Sequence, residues 1–141
     1  MNNNVYLNRA LAPDELLGHV AYDGKVYASR FGPDKHVGGV ELDTGKIYES
    51  VLGPDKYAGY VDLSNGKVYR HKPAAPDEYL GQVDNNGNFY GHRFFARDKY
   101  LGNITPMPGY AHGGAAYLLL VVPVIEEEKE NKGSGEKKES E

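Results

Sequence analysis

The chain has 141 residues, 40% of them apolar, enough for one domain with a core of its own. It contains no cysteine, so neither disulfides nor thiolate metal sites can form. Net charge is −4, and residues 126–141 carry −3 of it with seven acidic and four basic side chains; the near-neutral remainder lacks the basic face that general nucleic-acid binding needs, so no nucleic-acid partner is expected.

Met1-Asn2-Asn3-Asn4 shows no basic region followed by an apolar core, which points to a cytoplasmic protein without a signal peptide. Val5-Tyr6-Leu7 then reads as the second strand of a hairpin whose first strand is missing. The same strand returns at Tyr27, Tyr48, Tyr69 and Tyr90, a period of 21 residues each time. Gly18, Gly38, Gly59, Gly81 and Gly102 form a second column, each four residues after an aspartate. Val20, Val40, Val61, Val83 and Ile104 form a third. Three columns in step over five copies define a tandem repeat.

Each repeat predicts a β-hairpin, with full hairpins over residues 16–30, 36–51, 57–72 and 79–94. Asp23-Gly24 and Asn86-Gly87 read as two-residue turns, and Asp43-Thr44-Gly45 and Ser64-Asn65-Gly66 as three-residue turns. Counting back from those turns sets Val20 opposite Tyr27, Val40 opposite Tyr48, Val61 opposite Tyr69 and Val83 opposite Tyr90. Each is a β-branched–aromatic pair suited to a core face. The glycine column lies on the same face in this count, and so do Tyr57, Tyr79 and Tyr100 two residues before it, which suggests rings folded over bare glycines. The connectors Gly32-Pro33-Asp34, Gly53-Pro54-Asp55 and Ala75-Pro76-Asp77 favour tight turns capped by their aspartates.

The fifth unit begins at Tyr100 and departs into an irregular loop over residues 105–114. Residues 115–125 are almost wholly apolar, too short to span a bilayer as a helix, and read as a fully buried strand. Tyr117 then takes the tyrosine position of the fifth hairpin. From Glu126 the composition predicts a disordered charged tail, leaving residues 1–125 as the hairpin-repeat domain. The expected fold is all-β, with about eleven strands in a closed barrel or propeller-like ring; an open hairpin solenoid is the alternative. Closure is preferred because the half repeat and the long apolar strand complement each other and remove exposed edges.

Gly66-Lys67-Val68-Tyr69 is similar to the Gly-Lys-aromatic-Tyr strand of choline-binding repeats, and Asp23-Gly24-Lys25-Val26-Tyr27 resembles the Asp-Gly-x-Val-Tyr of MORN repeats. The former bind through tryptophan cages, and this chain has no tryptophan; the latter's glycine pattern after the tyrosine is absent here. Neither likeness carries a site across.

Candidate ligand-binding residues are the tyrosines Tyr57, Tyr79 and Tyr100, the basic positions Arg30, Lys72 and Arg93, and the histidines His71 and His92, which share one register. No P-loop, nucleophile elbow, HExxH or cysteine nucleophile is present, and nothing calls for a cofactor or a metal. The expectation is a non-enzymatic binding or scaffolding module that engages a protein partner or itself. A glycan-binding repeat and a small enzyme with its site in loop 105–114, near His112, are the alternatives.

Overall fold

A computed structural model describes residues 3–93 and 96–140, with side chains described up to residue 131. Ten antiparallel strands form one closed barrel: β1 (Asn3–Leu7), β2 (Glu15–Val20), β3 (Lys25–Ala28), β4 (Lys35–Val40), β5 (Lys46–Glu49), β6 (Lys56–Val61), β7 (Lys67–Arg70), β8 (Glu78–Val83), β9 (Asn88–Gly91) and β10 (Lys99–Thr105). The half repeat supplies β1, which pairs β2 on one side and β10 on the other, so the ring closes within the chain. The strand count is ten, not eleven, because residues 115–125 are helical. Helix α1 (Tyr110–Ala116) passes through a widened π-helical turn (Tyr117–Val121) into α2 (Val122–Ser140).

That apolar segment fills the barrel, which explains its sequence. Each strand sends one residue to an inner ring: Val5, Val20, Val26, Val40, Ile47, Val61, Val68, Val83, Phe89 and Ile104, all buried. Branched walls leave room only for a narrow helix, and α1 carries Ala111, Gly113, Gly114, Ala115 and Ala116. One layer further along, the wall is the glycine column, and there the helix is large: Leu119 lies against Gly38, Leu118 against Gly59 and the Tyr117 hydroxyl against Gly81. Small helix residues meet a large wall, and large helix residues meet a bare one. The π-helical turn follows from Pro123, which has no N–H to donate to Leu119 and whose ring crowds that carbonyl; the Val122 N–H bonds the Tyr117 carbonyl instead.

The pairing register differs by one residue from the count made on the turns. Val20 faces Val26, Val40 faces Ile47, Val61 faces Val68 and Val83 faces Phe89. Each turn ends at its left-handed glycine, as at Gly24 (φ +93°) and Gly66 (φ +79°), but starts one residue earlier than expected, taking in Tyr22, Leu42, Leu63 and Asn85. A one-residue slip exchanges the faces of a strand. Tyr27, Tyr48, Tyr69 and Tyr90 therefore point outward and are half-buried among their neighbours rather than in the core.

A bulge in every repeat turns the second tyrosine group outward too. Ile47 pairs Gly59 while Tyr48 pairs Tyr57, so Ala58 is the extra residue; Leu80 and Leu101 take the same place in later repeats. The glycines face the helix, and Tyr57, Tyr79 and Tyr100 do not fold over them. The outer rings instead pack in rows, Tyr48–Tyr57–His71 at 5.6 and 5.0 Å and Tyr60–Tyr69–Tyr79–His92 at 4.8, 5.4 and 4.9 Å between centroids.

Candidate functional site

The hairpin turns lie at one end of the barrel and the connectors at the other, where the helix emerges. Inward positions at the connector end come one residue after each column tyrosine: Leu7, Ala28, Glu49, Arg70 and Gly91. Their cross-strand partners are Glu15, Lys35, Lys56, Glu78 and Lys99. Four copies put a side chain in this layer. The fifth puts Gly91, and beside it a cavity of about 1020 Å³ opens between the emerging helix and the wall formed by β8, β9, β10 and the end of β1.

Leu7, Leu80, Leu101, Tyr117, Val122 and Ile125 supply the apolar lining. Tyr117 is buried, and its hydroxyl donates to the carbonyls of Tyr90 (2.9 Å) and Leu80 (3.1 Å), fixing the helix against this wall. Burial pushes its phenol well above the usual tyrosine range. Two arginine clamps flank the cavity. Arg70 binds Glu78 of β8 at 3.0 Å and Glu126 of α2 at 2.7 Å; Arg9 binds Glu15 of β2 and, at 2.6 Å, Glu128 of α2. Hydrogen bonding to Arg70 holds the Glu126 carboxyl below its ordinary value, and the bond to Glu126 raises the Arg70 guanidinium. Residues 126–131, the first of the expected tail, are thus part of α2 and exposed; the tail residues 132–141 lie outside the described side chains.

Among the described residues, five cationic side chains line the cavity (Arg9, Arg70, Arg93, Lys99, Lys129) against three acidic ones, Glu78, Glu126 and Glu128. The three carboxylates are all engaged by Arg9 and Arg70. Arg93 donates its Nε to the Arg97 carbonyl at 2.7 Å. Among the described residues no carboxylate lies within ion-pair distance of Arg93, Lys99 or Lys129.

Of the residues singled out in the sequence, Tyr79, Tyr100, His92 and Arg93 line this cavity. Tyr57 and His71 meet at a tilt on the barrel's outside, their ring centroids 5.0 Å apart. Arg30 donates to the Pro33 carbonyl of its own connector, and Lys72 lies 3.3 Å from Glu78. The connector aspartates Asp34, Asp77 and Asp98 meet the Nδ1 atoms of His19, His71 and His92 at 3.1, 3.4 and 3.7 Å. Backbone capping is done by the turn aspartates Asp23, Asp62 and Asp84. Gly91, Arg70 and Lys99 were missed, although the column after the tyrosine is the one that varies most among repeats and was the signal available.

At the other end, His112 bonds the Tyr22 carbonyl through Nε2 at 2.9 Å. The hollow in that loop, about 150 Å³ between Asn85, Met107, Pro108, Gly109 and Tyr110, does not include it. Among the described residues no three metal-ligating side chains come together, and no helix is long and apolar enough to cross a membrane. The chain matches no known family model, no curated protein and no solved structure.

Proposed function

We propose that the protein is a non-enzymatic binding module whose ligand enters the connector-end cavity. The observation that carries this reading is the interruption of the repeat at Gly91. In this layer Leu7, Ala28, Glu49 and Arg70 each pair a column glycine across the strands, whereas Gly91 pairs Gly81. The space beside that pair is concave and largely apolar with a few convergent polar groups, the usual form of a small-ligand site. The volume of about 1020 Å³ is at the upper end for such sites.

The test uses Nile red, a neutral apolar dye, with the full chain. Dye fluorescence should rise and saturate with the native protein and be lost in Gly91→Leu, which refills the layer. Position 91 tolerates a side chain locally, since an added Cβ meets only the flexible Leu101 side chain at 3.2 Å. Near-ultraviolet circular dichroism confirms that the variant is folded. Equal dye binding by folded Gly91→Leu removes the cavity from the reading.

A second reading rests on a separate observation. Leu11, Phe31 and Leu52, one on each of three successive connectors at the same end, are fully exposed. Apolar side chains repeated on one rim favour contact with a protein surface, including a second copy of the chain.

A further inference from the structure

We propose that the cavity takes an acidic amphiphile, with one carboxylate or phosphate head group held by Lys99 and Arg93 and an apolar body lying against Leu80, Leu101 and Ile125. The inference rests on the cavity reading above and adds the class of ligand. Three features carry it.

First, the charges facing this space do not balance locally. Each acidic side chain in it is engaged by Arg9 or Arg70, so the cations beyond those clamps belong to the β9–β10 side and to α2. Second, Glu78 is bound by its cross-strand neighbour Arg70, whereas Lys99 faces Gly91, as Lys35 faces Ala28. The glycine beside the cavity therefore offers Lys99 no counter-charge across the strand pair. Third, the apolar wall is contiguous with the core. Leu80 and Leu101 are the bulge residues of β8 and β10, turned toward the interior and packed on the core cluster, as are Val124 and Ile125 of the helix. A charged ligand without an apolar body leaves that wall wet, and an apolar ligand without a charge leaves the ammonium of Lys99 unmatched as it loses water. An amphiphile with one anionic end satisfies both.

The experiment is isothermal titration of the full chain at neutral pH with decanoate, decyl phosphate and decanol. Decanoate or decyl phosphate should bind one per chain, and the stronger of the two identifies the head group. Decanol should bind roughly tenfold more weakly or less, the scale expected for a charge-assisted hydrogen bond. Lys99→Gln and Arg93→Gln should each weaken the acidic ligands by about the same factor while Nile red binding persists. Decanol binding as tightly as decanoate overturns the proposal and leaves the cavity reading standing. So does Lys99→Gln with unchanged affinity for both acids. Loss of Nile red binding in those variants assigns the two residues to the cavity's structure and likewise overturns their role as head-group ligands.

Discussion

Gly114 shows what one residue does in this fold. In a solvent-exposed helix, replacing glycine by alanine stabilises by about 1 kcal/mol through backbone entropy and propensity. Here a Cβ at position 114 would lie 2.3 Å from the Val61 Cβ, an atom fixed to the wall of β6. Relief requires the helix or the strand to move, and overpacking of this kind costs about 1–3 kcal/mol. The packing penalty exceeds the propensity gain, so Gly114→Ala should lower the urea midpoint, by the equivalent of about 1 kcal/mol net. A rise in midpoint would mean that α1 is not seated inside the barrel. The same reasoning covers Gly66, where a Cβ would meet the Val83 carbonyl at 2.0 Å and the backbone already sits at φ +79°.

At the scale of the element, the central helix is anchored by Tyr117, whose hydroxyl donates to two barrel carbonyls. An ionised phenol cannot donate, and burial raises its folded pKa above the ordinary value of 10.0. The folded state then holds a proton that the unfolded chain releases. The stability contributed by this group is fully present below pH 10.0 and is lost as pH climbs beyond that value. Spectrophotometric titration of the twelve tyrosines should leave one silent until the chain unfolds in alkali, and Tyr117→Phe should titrate without that lag. Titration of all tyrosines in the folded chain would place Tyr117 in water. This helix was also the element least legible in the sequence. A helix buried on every side has no polar face, so residues 115–125 lack the 3.6-residue alternation that separates helix from strand. The run of glycine and alanine at 113–116, matched in size to a valine-lined wall, was the remaining signal, and it has meaning only once the barrel is known. The hairpins were legible because their columns repeat. Their facing was not, since each turn takes in one more residue at its start and so moves Tyr27, Tyr48, Tyr69 and Tyr90 from the core to the outside. Tyr79 and Tyr100 consequently reach the candidate site from the outer rows, while the Gly91 sector that creates it is a departure from the repeat.

For the whole molecule, closure and association are separate questions that one light-scattering series can resolve. Strand β1 is paired on both sides by its own chain, through Val5–Ile104 toward β10 and Val5–Gly18 toward β2. Removing residues 1–9 exposes two edges, on β2 and on β10, and also removes the Arg9 clamp on Glu128. Unpaired edges template non-specific pairing, so the truncated chain should unfold or aggregate without a defined stoichiometry. A well-defined oligomer would instead show that β1 can be exchanged between copies. The rim predicts something different. If Leu11, Phe31 and Leu52 bring copies together, the full chain should have a mass that rises with concentration. Phe31→Ser combined with Leu52→Ser should return it to monomer without loss of folded signal, because both side chains are fully exposed and support no core contact. A full chain that stays monomeric at high concentration turns the second reading toward a partner other than itself. A concentration-dependent mass unaffected by the two serines removes the rim as the contact surface.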